Sequence, residues 1–107
     1  MSLPGLVEAL EDLASRGQVM SYGDLARALA LPVPGSIVRL TQALEALMVE
    51  DAAKGRPLRA ALCHARLTQD LPAQGFFDKA MELGRFDGTD PAGFVRTERA
   101  RLFTASS

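Results

Sequence analysis

Cys63 and His64 are the residues whose types most directly allow covalent chemistry, because a thiolate is a nucleophile and an imidazole is a general base. The chain of 107 residues contains one cysteine and one histidine. The segment from Leu58 to Ala65 predicts a strand, and neighbouring strand residues point to opposite faces. We therefore expect no nucleophile–base pair here. Without a spaced set of Cys and His ligands, we also expect no metal site, no cofactor and no catalytic residue.

A second group of residues has the chemistry of nucleic-acid contact. Arg39 and Gln42 lie on the outward side of a predicted helix, and these residue types pair with guanine and adenine respectively. The amides at the start of that helix can hold a phosphate. Residues 52–66 carry four basic residues and no acid, a sum of +4. The predicted nucleic-acid-binding residues are Ser36, Arg39, Gln42, Lys54, Arg56 and Arg59.

Four segments must position these residues. Apolar residues at helical spacing predict a first helix over 1–17, capped by Ser2 and ended by Gly17. Residues 21–53 predict a helix-turn-helix: a short helix capped by Ser21, a turn enforced by two prolines, and a longer helix capped by Ser36. A strand or wing follows over 56–67, and C-terminal helices occupy 72–103, the last capped by Asp90. Residues 18–20 form a link that can add a short strand.

This pattern predicts a mainly α protein with a small β element, a winged-helix-like single domain over residues 1–107. A chain of 107 residues fits one domain. The formal charge of −1 and the pI near 5.8 weigh against a dedicated nucleic-acid binder, which is usually basic. Glu45 and Glu50 would also repel phosphates. One cysteine and no long apolar run or signal peptide favour a cytoplasmic protein without a membrane partner.

Two short motifs resemble the O6-alkylguanine-DNA alkyltransferases. The run VMSYGDLA at residues 19–26 is similar to the opening of their winged-helix part. Their active-site signature Pro-Cys-His-Arg-Val is matched at Cys63 and His64, and its other three positions differ. The resemblance implies that Cys63 would accept an alkyl group. The family's arginine that replaces the flipped base falls at Val38 in an ungapped comparison, so that function has no counterpart here.

A longer stretch, about residues 20–80, resembles uncharacterised bacterial proteins. These have a helix-turn-helix-like start, a Gly-x-Pro-x-Leu strand and a Pro-x-x-Gly-Phe turn. The matching residues are Gly55–Leu58, Ala60–Leu62, Thr68 and Leu71–Phe77. The expected glycines are replaced at Gln69, Asp70 and Ala73. The resemblance implies a fold without an agreed activity, and it implies ordinary strand residues at Cys63 and His64.

Three functions follow from these observations. The first is a nucleic-acid-binding winged-helix-like module without catalytic activity, whose partner is DNA. The second is a protein-interaction or structural domain that binds itself or another protein. The third is alkyl transfer by Cys63. Self-association would pair an acidic group with a basic one, and these groups are Glu8, Glu11 and Asp12 against Arg96, Arg99 and Arg101.

Overall fold

The boundaries of the helices follow local signals in the sequence. The computed structural model describes residues 3–66 and 70–105. The helices within these residues are α1 (Leu6–Arg16), α2 (Tyr22–Ala28), α3 (Ser36–Ala53), α4 (Gln74–Glu82) and α5 (Pro91–Ala105). The predominance of helix confirms the predicted mainly α class. The Cα radius of gyration is 12.7 Å, and a compact domain of this size has about 13 Å, which supports a single domain.

Several predicted caps are present. The hydroxyl of Ser21 accepts a hydrogen bond from the Asp24 amide at 3.1 Å and starts α2. The Asp90 carboxylate likewise accepts a hydrogen bond from the Gly93 amide at 3.1 Å and starts α5. Gly17 ends α1 in the left-handed region, with φ of 64°. The predicted cap at Ser2 lies outside the described residues.

The predicted cap at Ser36 is wrong. Ser36 is the first residue of α3 and is buried, and Gly35 precedes it with φ of 92° and no side-chain cap. Glycine fits here because an L-residue with a side chain is strained in that backbone region. The predicted bounds of this helix, Ser36 to Ala53, are confirmed.

The predicted strand over 58–65 is wrong for most of its length. Arg59–Leu62 forms a 3-10 helix, and only Cys63–His64 is a strand, here β2. It pairs in parallel with β1 (Met20–Ser21), so the small β element is a strand pair and no hairpin wing forms in the described part of 56–67. The sequence pattern fails because residues 60–62 are buried on every side, so the period-two pattern has no solvent face to define it.

The core lies between α1, α3, α5 and the 3-10 helix. Leu10, Leu40, Met48, Leu58 and Leu62 are all at most 1% exposed. The rings of Phe86 and Phe94 are stacked, with centroids 4.7 Å apart. This contact joins the turn before α5 to α5 itself. Among the described helices, none has both the length and the apolar character needed to cross a bilayer.

Candidate functional site

The outward face of α3 is open to solvent along its whole length. One side of the helix packs into the core through Leu40, Leu44 and Leu47. The opposite side carries a line of four residues at 4-3-4 spacing, which we call the outer stripe: Val38, Gln42, Glu45 and Val49. All four are exposed. Such spacing keeps side chains on one face of a helix, as in a coiled-coil seam.

Two of the predicted nucleic-acid contacts lie on or beside this stripe. Arg39 and Gln42 are both exposed, as predicted. Lys54, in contrast, follows the last turn of α3. It is 15 residues beyond Arg39, which is about 22 Å along the helix axis at 1.5 Å per residue. Arg39 and Lys54 therefore do not form one cationic cluster.

The cations at the far end of α3 are close to carboxylates of the same chain. The Lys54 Nζ atom is 3.4 Å from Oε1 of Glu50, and an Arg56 nitrogen is 3.2 Å from the same oxygen. These contacts hold the pKa of Glu50 below its usual value, chiefly through the hydrogen bond from Lys54. Two acids on α3, Glu50 and Asp51, thus offset half of the +4 charge summed over residues 52–66.

Arg59 is built into the interior. Its side chain is 14% exposed and its guanidinium is 2.9 Å from Oδ1 of Asp51, which is fully buried. The Arg59 amide also donates to Oδ2 of Asp51 at 3.0 Å. The Arg56 Nε atom is buried 3.2 Å from Oδ1 without the alignment of a hydrogen bond, so that contact is an ion pair only. Sequence analysis missed Asp51, although its spacing of four residues from Leu47 and seven from Leu44 places it on the inner face of α3.

A second buried carboxylate acts on the same segment. Oε1 of Glu98, on α5, accepts a hydrogen bond from the Leu58 amide at 3.0 Å and one from Arg85 at 3.2 Å. Glu98 is 3% exposed. Asp51 and Glu98 therefore bind the two consecutive amides that begin the 3-10 helix. This arrangement explains why residues expected to form a projecting wing lie in the core.

Cys63 and His64 are the two residues of strand β2. Cys63 is fully buried, and burial raises the pKa of its thiol to about 12. A thiol with this pKa is neutral at physiological pH, and the thiolate is the reactive form. His64 is part-buried; its Nδ1 is 3.1 Å from the carbonyl oxygen of Ala65, and its Nε2 is 3.8 Å from Asp70. The geometry disfavours alkyl transfer at Cys63.

Three of the six charged residues proposed for self-association, Asp12, Arg99 and Arg101, make contacts within the chain. Asp12 is 2.8 Å from Arg16, one turn away on α1. Arg101 is 3.3 Å from Glu98, and Arg99 donates to the carbonyl oxygens of Ala61 and Asp70. Burial lowers the pKa of Arg99. These contacts leave less charge for pairing between α1 of one copy and α5 of another.

The exposed apolar residues are concentrated on α3. The large apolar side chains that are exposed among the described residues number five, and four belong to α3 or to the turn before it: Val33 at 80%, Val38 at 59%, Val49 at 45% and Ile37 at 43%. The fifth, Met81 on α4, is 49% exposed. Ile37 shares a helical face with the buried residues Leu40 and Leu44, yet its side chain is exposed at the start of α3. The spacing of the outer stripe was present in the sequence and could have revealed it.

A cleft of about 700 Å³ adjoins the first turn of α3. Its lining includes Ile37, Tyr22, Arg27, His64 and Arg66. The Tyr22 hydroxyl accepts a hydrogen bond from the Ala73 amide at 3.0 Å, and burial raises its pKa to about 12. Arg27 is paired with Asp24, so one of the two cleft arginines is balanced by an acid. The cleft therefore has little net charge.

Within residues 3–66 and 70–105, the side chains include no group of three metal-ligating residues. No protein-family model matches the chain, and neither curated proteins nor solved structures yield a match. Any assignment of function therefore depends on the geometry of the surface.

Proposed function

We propose that the chain is a protein-interaction domain that binds its partner through α3. The contact surface consists of the outer stripe together with Val33 and Ile37, and we call it the α3 surface. The observation that carries the proposal is the concentration of exposed apolar side chains there, four of the five in the described residues. Grouped apolar residues on a protein surface commonly mark interaction sites.

The polar residues of the α3 surface fit the same purpose. Gln42 and Glu45 lie between Val38 and Val49 on the stripe, and Arg39 flanks them. Polar groups in an otherwise apolar contact select the register and the partner. A surface with two valines at its ends and hydrogen-bonding groups at its centre can recognise one partner helix and reject others.

Paired variants test this function. Val38→Glu and Val49→Glu place a carboxylate on the contact surface, and Met81→Glu makes the same change at an exposed apolar residue outside it. Partners captured on the immobilised wild-type chain are identified by mass spectrometry, purified and measured by calorimetry. We expect both α3 variants to weaken binding at least tenfold and Met81→Glu to leave it unchanged. Equal binding by all three variants would refute the proposal.

Nucleic-acid binding by a winged-helix-like module is the second candidate function. The observation in its favour is that α2 and α3, joined by a Pro-containing turn, present Arg39 and Gln42 to solvent. The second helix of a helix-turn-helix reads the major groove with such residues. The separation of Arg39 from Lys54 and the pairing of Lys54, Arg56 and Arg59 with carboxylates make this candidate weaker.

Fluorescence anisotropy distinguishes the two candidates. For nucleic-acid binding, labelled duplex and single-stranded DNA should bind at low salt and dissociate steeply as salt rises. Arg39→Ala should then weaken binding, and Arg96→Ala, at an exposed arginine on α5, should not. Absence of binding to both probes at low salt excludes this candidate and leaves the protein-interaction proposal unaffected.

A further inference from the structure

We infer that the partner bound by the α3 surface is a second copy of this chain, with the two α3 helices packed antiparallel. This inference rests on the proposed function and adds the identity of the partner. Most soluble oligomers are homo-oligomers with a two-fold axis, and such an interface uses the same surface patch on both copies. The sequence of the outer stripe has the symmetry that such an interface needs.

The stripe reads the same in chemical character from either end. Its order is Val38, Gln42, Glu45, Val49, and it is centred between residues 43 and 44. A two-fold axis through that centre places Val38 against Val49 of the partner subunit. It also places Gln42 against Glu45 of the partner subunit. Each apolar residue then meets an apolar residue, and each carboxylate meets an amide that can donate a hydrogen bond to it.

The flank of the stripe is complementary in charge. Arg39 and Glu50 are 11 residues apart, so at about 100° per residue they differ by only about 20° around the helix axis. Both therefore lie on the same flank of α3. The two-fold axis brings Arg39 next to Glu50 of the partner subunit, with an offset of about 3 Å along the axis. Long side chains span that offset, and the contact occurs twice in the dimer, in addition to the contacts that Glu50 makes with Lys54 and Arg56 of its own chain.

A parallel arrangement lacks these matches. With the helices in parallel register, Glu45 would face Glu45 of the partner subunit, and the two-fold axis along the helices would place Arg39 and Glu50 of the partner subunit on opposite flanks of the contact. Like charges placed opposite each other disfavour association. The order of residues on α3 thus selects the antiparallel arrangement over the parallel one.

The size of the contact sets the expected affinity. α3 has 18 residues and is about 27 Å long, and one helix pair of this length falls at the small end of specific interfaces. We therefore expect a reversible dimer with Kd on the order of 10–100 µM.

Sedimentation equilibrium on the full chain tests the dimer. We expect a monomer–dimer equilibrium that weakens at least tenfold in Val38→Glu and is unchanged in Met81→Glu. Arg39→Glu should weaken the dimer because it places an acid beside Glu50 of the partner subunit, and Arg39→Gln, which only removes the charge, should weaken it less. Circular dichroism checks that each variant keeps its helix content.

Disulfide trapping tests the orientation. Mixing Val38→Cys with Val49→Cys chains under mild oxidation should give mainly the mixed dimer, and Val38→Cys alone should give almost none. Native Cys63 is buried and provides the background, measured in the wild-type chain. A disulfide dimer of Val38→Cys with itself would overturn the antiparallel arrangement.

Other outcomes separate this inference from the proposed function. A wild-type chain that stays monomeric to about ten times the upper expected Kd, roughly 1 mM, overturns the second copy as partner. A dimer insensitive to Val38→Glu overturns it as well, because the contact then lies elsewhere. The proposed function still stands if an identified different protein loses binding to Val38→Glu and keeps binding to Met81→Glu. The proposed function is refuted if no partner binds more weakly to Val38→Glu or to Val49→Glu.

Discussion

Replacing Arg59 tests whether this residue stabilises the fold or serves a nucleic acid. Arg59 was expected from the sequence to contact phosphate. In the structure its guanidinium is 2.9 Å from the buried carboxylate of Asp51. Arg59→Ala removes the guanidinium and leaves that carboxylate with fewer partners. A structural role predicts a large loss of stability, whereas a surface role predicts almost none.

The size of the loss follows from the burial of the pair. Removing one partner of a buried ion pair costs about 3–5 kcal/mol. Arg56 remains 3.2 Å from Asp51, and the amide of residue 59 still donates a hydrogen bond to Asp51, so the carboxylate keeps two of its partners. We therefore expect the free energy of unfolding to fall by about 3 kcal/mol, the low end of that range. A domain has about 5–15 kcal/mol in total, so this loss is large.

Urea unfolding followed by circular dichroism measures it, because the chain has no tryptophan and one tyrosine. With a slope of about 1.5 kcal/mol per molar urea, the midpoint should fall by about 2 M. Arg39→Ala is the control: replacing this exposed arginine on α3 should change the free energy of unfolding by less than about 0.5 kcal/mol. Combining Asp51→Ala with Arg59→Ala should cost less than the sum of the single changes.

The reasoning is wrong if Arg59→Ala is as stable as Arg39→Ala. It is also wrong if the single losses at Asp51 and Arg59 add without coupling, because residues in direct contact in a buried pair do not behave independently. Either result would contradict a structural role for Arg59 and leave contact with a nucleic acid as the alternative role.

Four further predictions concern buried polar groups. Burial raises the pKa of Cys63 from 9.0 to about 12. The stabilisation from its neutral thiol is therefore complete below pH 9 and is lost as pH rises towards 12. The melting temperature should decline over that pH range, and the decline should be smaller in Cys63→Ala. A thiol reagent at pH 8 should leave the native wild-type chain unmodified and react after addition of denaturant. Tyr22→Phe removes the acceptor of the Ala73 amide and should cost about 1–2 kcal/mol in urea unfolding, and an unchanged midpoint would contradict that hydrogen bond. Glu98→Ala should cost about 3 kcal/mol or more because Arg85 loses its buried partner, whereas a loss below about 1 kcal/mol would place that pair at the surface.

Much of the helical framework is predictable because its signals are local. Ser21 and Asp90 cap helices through amides three residues ahead, and Gly17 ends a helix with its own backbone. The prolines at 32 and 34 separate α2 from α3 in the sequence as in the structure. Each of these features can be recognised within a few residues, without knowledge of the rest of the fold.

The segment after α3 could not be predicted in the same way. Its backbone is fixed by Asp51, which binds the Arg59 amide from eight residues away, and by Glu98, which binds the Leu58 amide from forty residues away. Neither contact has a local sequence signal. The predicted binding residues split for the same reason: Arg39 and Gln42 are exposed as helix periodicity predicts, whereas the burial of Arg59 depends on the tertiary position of Asp51.

The parallel pairing of β1 with β2 has a consequence for how the chain tolerates a break. Residues 20–21 pair with residues 63–64, so the chain from α2 through the 3-10 helix begins and ends at the same strand pair. Within that stretch, the turn with Val33, 80% exposed, lies at the surface. A nick there would yield two fragments, one with α1, β1 and α2 and one with the remainder, and each would retain its half of the strand pair and its core face. The fold is therefore suited to reconstitution from separately made halves, with the nicked ends projecting beside α3.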